Sequence, residues 1–476
     1  MNVNAVEHLA QLIIENNHIF AETDKQYIEN KILAVVGDKA REIAVPASFS
    51  ALETAKIITD EQTKISQLLD LYTPLPSAVN REFWHLHQTA GPASATDYFH
   101  ELSIASDYLK VADIAKNIKF TENSKYGQLE ITINLSKPEK TTAQITAAKS
   151  AQQRDYPECL LCFANEGYLG GNGYPERSSH RLIRLTLNSR PWALQFSPYE
   201  YFTEHVIVID EKHEPMKIDH DTFINLLDFV DQFPNYFIGS NADLPIIGGS
   251  MLAHEHYQGG KHIFPLERAK PAFSFSTGNS AVHASFLNWP VTTIKLESTN
   301  RAQLLNYADK IHTAWLSFDD PEIAIKASDG VVLHHSLNPI VRKTGDTYVL
   351  YLLLRDNNTS RTYPDGIFHV HPEYQHIKQE NIGLIEAMGL AILPGRLKNE
   401  LKEVEKYILN QPNSIAPSHK EWADTIKQKF STNDDVSSFV KRELGTVFAH
   451  ILENTGVFKD ISAENEHIQR FINSIN

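Results

Sequence analysis

The chain has 476 residues, 42% of them hydrophobic, and its 44 Lys and Arg against 59 Asp and Glu give a formal net charge of -15. That is material for two or three globular domains with a large core. The acid excess excludes a general phosphate-backbone binder, which needs clustered cations, so no nucleic-acid partner is expected and a nucleotide would have to be held in a local pocket.

At the N-terminus, Met1–His8 lacks a basic region followed by an apolar core, and no later stretch has the apolar length of a membrane span; a cytoplasmic protein with no membrane partner is expected. Val6, Leu9, Leu12 and Ile13, then Ile28, Ile32, Leu33 and Val36, recur at helical spacing, which predicts packed amphipathic helices to about residue 70. Tyr72–Ser77 carries Pro74 and Pro76 and breaks that pattern at a boundary or exposed turn. From Gly127 onward Leu129, Ile131, Ile133 and Leu135 alternate with polar residues, as in a strand. Next come the only two cysteines, Cys159 and Cys162, and a glycine-rich loop from Gly167 to Gly173.

Strand-like runs follow at Leu182–Leu187, Ala193–Phe196 and His205–Ile209, then a helical pattern from about Asp219 to Phe233 and another short run at Tyr236–Gly239. The C-terminal half offers similar material: strands at Val331–His334 and Tyr348–Leu354, a helix near Gln379–Leu390, and helices after Asn399. Strands followed by a long helix predict an α+β fold with mostly antiparallel sheets. The expected division is a mainly helical region over 1–125, a catalytic half over 126–270 and a second, related α+β half over 271–476, although no repeat is visible in the residues themselves.

The most informative stretch runs from Asn241 to Gly260 and contains Gly248-Gly249-Ser250, then His254-Glu255-His256-Tyr257-Gln258, then Gly259-Gly260. In an extended chain His254, His256 and Gln258 share one face. Three polar side chains on one face of a core strand each need a partner, and the flanking glycines let backbone approach a ligand and turn N–H groups toward an anion. An exposed strand beside a glycine turn is the plainer alternative.

This pattern resembles the His-x-His-x-Gln motif of the galactose-1-phosphate uridylyltransferases, a branch of the histidine-triad superfamily in which glutamine replaces the third histidine. Pro76–Trp84, Ala95–Phe99, Tyr156–Cys162 and Asn381–Glu386 are similar to the second, bacterial class in particular, so the resemblance spans nearly the whole chain. It implies two histidine-triad-like antiparallel-sheet units, and His256 as the nucleophile that carries a uridylyl group while UMP passes reversibly from UDP-glucose to galactose 1-phosphate in galactose metabolism. It also implies that Gln258 stabilises charge on the transferred phosphoryl group without acting as an acid, which suits a phosphate leaving group. UDP-glucose, UDP-galactose and hexose 1-phosphates are then the small-molecule partners, and a homodimer is compatible with the family. A nucleoside-phosphate hydrolase or phosphorylase of the same superfamily is the competing reading.

Cys159 and Cys162 have the C-x-x-C spacing of a tetrahedral zinc site, with two reduced structural thiols as the alternative. The resemblance adds His254 as a ligand, and for the fourth position it leaves His213, His205 and Glu200, of which His213 is preferred. The zinc would be structural, and no organic cofactor is implied. By the same resemblance Asn188, Asn241, Gly249 and Ser250 contact the nucleotide or its phosphates, and Arg81 is a cation for phosphate; each is equally at home as an ordinary turn or surface residue. The run from His369 to His376 could hold a second metal or form a surface turn, and both stay open.

Overall fold

The computed structural model describes residues 2–17, 19–136, 156–171, 174–249, 251–431 and 433–475. The chain divides into two compact units, Met1–Ala112 with Ser150–Glu214, and Asp113–Lys149 with Pro215–Asn476.

The first unit opens with the helices that the apolar spacing foretells. Ala5–Asn16, Lys25–Val36, Ala51–Ile58 and Gln62–Tyr72 bury Val6, Leu9, Ile13, Ile28, Ile32, Leu68 and Leu69 in one cluster. Asn4 caps the first by accepting from the Val6 and Glu7 amides, and Ser50 with Glu53 forms a reciprocal cap on the third. The proline break falls where expected: one helix stops at Tyr72, and the next, Pro76–Thr89, starts on a proline whose missing N–H has no helical partner to lose. The rest of the unit holds an antiparallel sheet of Ile183–Leu187, Arg190–Phe196 and Val206–Asp210. Asn188 and Ser189 join the first two strands with φ of 46° and 60°, a turn that asparagine tolerates better than most residues.

The second unit has two sheets. In the smaller, Gly127–Asn134 lies between Ile118–Ser124, antiparallel, and Leu390–Pro394, parallel. The larger is antiparallel throughout, in the order Pro271–Phe275, His283–Leu287, Thr293–Ser298, Thr347–Asp356, His335–Thr344, Phe237–Gly239, His256–Gly260. The helices His220–Gln232 and Arg301–Ser317 pack on it.

Along the chain the order of three strands, a helix and two strands occurs twice, over 183–260 and again over 271–356, where two short exposed strands at Ser328–Asp329 and Val332–Leu333 intervene. The α+β expectation holds.

Three sequence expectations are corrected. The helix placed at Gln379–Leu390 is one turn, Leu384–Ala387, followed by a strand; Gly389 takes a φ of 101° that a continuing helix forbids. The strand expected at Val331–His334 is the exposed two-residue piece Val332–Leu333, while the apolar run of the central strand His335–Thr344 is interrupted by Asn338 and Pro339 and carries no strand signal. The strand that carries Gln258 begins at His256, so His254 precedes it rather than sharing it.

Candidate active site

His256 opens the strand His256–Gly260, whose Gln258 lies opposite Gly239 of the neighbouring strand. The pleat sends Tyr257 to the face opposite His256 and Gln258. There the Tyr257 hydroxyl donates to Glu255 Oε1 at 2.8 Å and accepts from Asn225 Nδ2 at 2.9 Å on the helix His220–Gln232. That buried anchor fixes the register of the strand, and with it the direction of His256.

The His256 ring is 6% exposed, and its Nδ1–H donates to the His254 carbonyl at 2.7 Å. The proton is thereby assigned to Nδ1, leaving the Nε2 lone pair as the nucleophilic position. Burial pushes the pKa of His256 down to about 4, a shift that the bond to the His254 carbonyl opposes and the nearby His254 ring reinforces. The imidazole is therefore neutral at neutral pH. Because protonation removes the lone pair only near pH 4, the rate of a reaction begun by His256 should stay level from about pH 8 to about pH 5 and fall below that, as single-turnover pH profiles would register. A fall centred near pH 6.5, the ordinary histidine range, would contradict this burial effect.

The glycines before the strand have a packing reason. A Cβ on Gly248 would stand 2.6 Å from both the Ala242 and Leu244 carbonyl oxygens. Gly249 lies against Asn241, whose Oδ1 accepts the Leu384 amide at 2.8 Å, and the Gly248 carbonyl accepts from Asn381 Nδ2 at 3.1 Å. The 241–249 loop is thus tied to the 381–384 segment, far along the chain. Ser250 lies outside the described residues.

In the first unit the ligand atoms of Cys159, Cys162 and His213 lie within 4.8 Å of one another, with Sγ to Sγ at 3.5 Å and Cys162 Sγ to His213 Nδ1 at 3.1 Å. Asn165 Nδ2 donates to the Cys159 and Cys162 carbonyls at 2.8 and 2.9 Å, an ordering contact that nothing in the C-x-x-C spacing announced. The Cys162 thiol and burial push the Cys159 thiol above its ordinary range, so the pair favours protonated sulfur unless a cation replaces the protons. Two soft thiolates and an imidazole fit zinc. Of the three residues left open for that position, His213 is the one at the cysteines. His205 packs against Phe202 with ring centroids 4.3 Å apart, and Glu200 Oε1 accepts the Glu204 amide at 2.6 Å.

Sequence models of galactose-1-phosphate uridyl transferase match here twice, the N-terminal domain over residues 18–215 and the C-terminal domain over 228–424. Galactose-1-phosphate uridylyltransferase of Pediococcus pentosaceus is 47% identical over 487 residues, covering 100% of both chains. The protein of that name from Lactiplantibacillus plantarum is 47% identical over 99% of each chain, and galactose-1-phosphate uridylyltransferase 1 of Streptococcus pneumoniae is 46% identical over 99% of each. The chain belongs to the galactose-1-phosphate uridylyltransferase family. A solved yeast Ap4A phosphorylase bound to Ap4A matches at a TM-score of 0.35 and 12% identity, over 64% of this chain and 91% of that one, a likeness too distant to bear on the fold.

In this uridylyltransferase family member the second unit brings His256, Gln258 and the Asn241–Gly249 loop onto neighbouring stretches of chain, with His254 fully buried beside them. Arg81 stands exposed on the helix Pro76–Thr89, and the turn conformation of Asn188 is by itself a reason for asparagine there. The 369–376 run gathers no metal-binding group among the described residues. His371 Nε2 donates to the Ile367 carbonyl at 3.0 Å, and His376 Nδ1 to that of Glu373 at 3.0 Å. No described helix is long and apolar enough to cross a membrane.

Proposed function

We propose that the protein moves UMP reversibly between UDP-glucose and galactose 1-phosphate by a two-step exchange through uridylylated His256. The observation that carries this reading is the buried, neutral imidazole whose Nδ1 is committed to the His254 carbonyl. Nε2 attacks the α-phosphorus of UDP-glucose, a P–N bond forms as the bond to the bridging oxygen breaks, and glucose 1-phosphate leaves with the electron pair. Galactose 1-phosphate then attacks the phosphorus, the P–N bond breaks, and UDP-galactose departs.

Gln258 donates to the phosphoryl oxygens and transfers no proton, which favours sugar phosphates over water as acceptor and disfavours the hydrolase reading. Asn241, Gly249 and Ser250 are assigned to the nucleotide phosphates, Asn188 to uridine and Arg81 to phosphate charge, each on the family pattern. Residues 126–270 act as the catalytic half, flanked by the helical region 1–125 and the C-terminal half 271–476. The expected setting is the cytoplasm, and a homodimer is compatible with the family.

A zinc ion would be held by Cys159, Cys162 and His213, with His254 as fourth ligand on the family pattern. When bound it supplies a closed structural cross-link with no open position for substrate. Purified protein should then contain about one zinc per chain, and Cys159→Ser should lower metal content and melting temperature together. Metal-free protein with unchanged stability would remove the zinc assignment.

Incubating the protein with UDP-glucose alone tests the central reading. Its intact mass should rise by one uridylyl group, mapped to His256, with glucose 1-phosphate released in equal amount. Steady release of UMP without an acceptor would move the assignment to a hydrolase.

A further inference from the structure

Arg355 lies near the end of the central strand Thr347–Asp356 and is fully enclosed, at 0% exposure. A guanidinium so placed has lost its water and needs compensation. It makes hydrogen bonds but meets no carboxylate: Nη1 donates to Asn338 Oδ1 at 2.6 Å and Nη2 to the Ile382 carbonyl at 2.9 Å, while Nε has no acceptor among the described residues. The carboxylate whose charge reaches it, Glu386, is already bonded to buried Lys378 at 3.0 Å. Asp356, next along the strand, meets His335 on the opposite face. Lys378 also reaches the exposed Glu380 at 3.5 Å, and neither carboxylate is bonded to Arg355, whose guanidinium is held, among the described residues, by an amide oxygen and a carbonyl alone. Burial lowers the Arg355 pKa to about 10, which still keeps it ionised at neutral pH.

Both of its bonds lead to one loop. Asn338 Nδ2 donates to the Ser240 carbonyl at 3.1 Å, next to Asn241. Ile382 belongs to the segment whose Asn381 side chain holds the Gly248 carbonyl and whose Leu384 amide holds Asn241 Oδ1. With Oδ1 held from behind, Asn241 turns its Nδ2 toward Gly249, where an added Cβ would stand 2.8 Å away.

We propose that Arg355 is a positioning residue for phosphate binding: from behind the 240–249 loop it fixes Asn241 and Gly248, and its guanidinium charge, bonded to no carboxylate, is offset by the diphosphate of a nucleoside diphosphate sugar. This rests on the nucleotide-binding reading of that loop. The arrangement explains why a buried cation is kept without a carboxylate of its own, since a permanent partner would cancel the field that the ligand uses.

Calorimetric titration of the full-length protein with uridine, UMP and UDP tests it. Arg355→Met should weaken UDP about 10-fold or more, UMP less, and neutral uridine less than about two-fold, because the loss follows ligand charge. Asn338→Asp keeps the guanidinium and gives it a carboxylate while removing the amide bond to the Ser240 carbonyl, so UDP should weaken several-fold and uridine less than about two-fold. Should Arg355→Met fail to fold, Asn338→Asp decides alone. Unchanged UDP affinity in the folded variants, or an equal loss for all three ligands, overturns the proposal. A wild-type protein that binds uridine but not UDP overturns it too, whereas one that binds none of the three removes the nucleotide reading on which it rests.

Discussion

Replacing His256 by Gly should lower the exchange between UDP-glucose and galactose 1-phosphate by at least about 10⁴-fold, because no other group can form the covalent intermediate. The variant should nonetheless fold. His256 gives one hydrogen bond to the His254 carbonyl, while the strand is anchored from its other face by Tyr257, Glu255 and Asn225. Glycine leaves a cavity of imidazole size with Gln258 and the 241–249 loop still in place. Free imidazole should enter it and attack UDP-glucose, yielding uridine 5′-phosphoimidazolide and glucose 1-phosphate, which chromatography of the product would register. His254→Gly should behave differently: it removes a fully buried ring, lowers metal content or folding yield, and gains nothing specific from imidazole. If His256→Gly kept ordinary transferase activity, the nucleophile would have to be sought elsewhere, and His254 would be the next candidate.

His256 and Gln258 were legible because two-residue alternation beside paired glycines is a local pattern, readable wherever the strand lies. His213 could be favoured over His205 and Glu200 but not chosen outright, since nearness to Cys162 depends on how the chain returns after the strand Val206–Asp210. Arg355 was invisible. It closes an apolar run and reads as the charged end of a strand, and its importance comes from a carbonyl 27 residues away at Ile382 and an amide side chain at Asn338. The missed strand His335–Thr344 has the same cause. Its Asn338 and Pro339 look like breakers in isolation, yet Asn338 is buried at the Arg355 bond and the Pro339 carbonyl accepts the Ser240 amide at 2.9 Å. Likewise Gly383 and Gly389 outweigh the helical spacing of 379–390, because the segment must run close to Asn241 and then turn at a positive φ.

The Gly248-Gly249 pair allows the two reasons for a glycine to be separated by experiment. At Gly248 an added methyl would meet two backbone oxygens at 2.6 Å and Leu252 Cδ2 at 2.7 Å. Backbone oxygens within one tight loop cannot rotate aside, so Gly248→Ala must open the loop, at an overpacking cost of about 1–3 kcal/mol in unfolding free energy. Opening it would also displace Asn241 and the proposed phosphate site, and a misplacement of this kind should cost about 10²-fold in kcat/KM. At Gly249 the added methyl meets only the Asn241 side chain, with Nδ2 at 2.8 Å and Cγ at 3.0 Å. Asn241 can give way there, but only by weakening its bond to the Leu384 amide and turning its Nδ2 from the ligand side. Gly249→Ala should therefore leave denaturant stability within about 1 kcal/mol of the parent while UDP-glucose turnover falls about 10-fold or more. Equal stability loss at both positions, or full activity in Gly248→Ala, would show that this loop is a packing feature without a part in nucleotide binding.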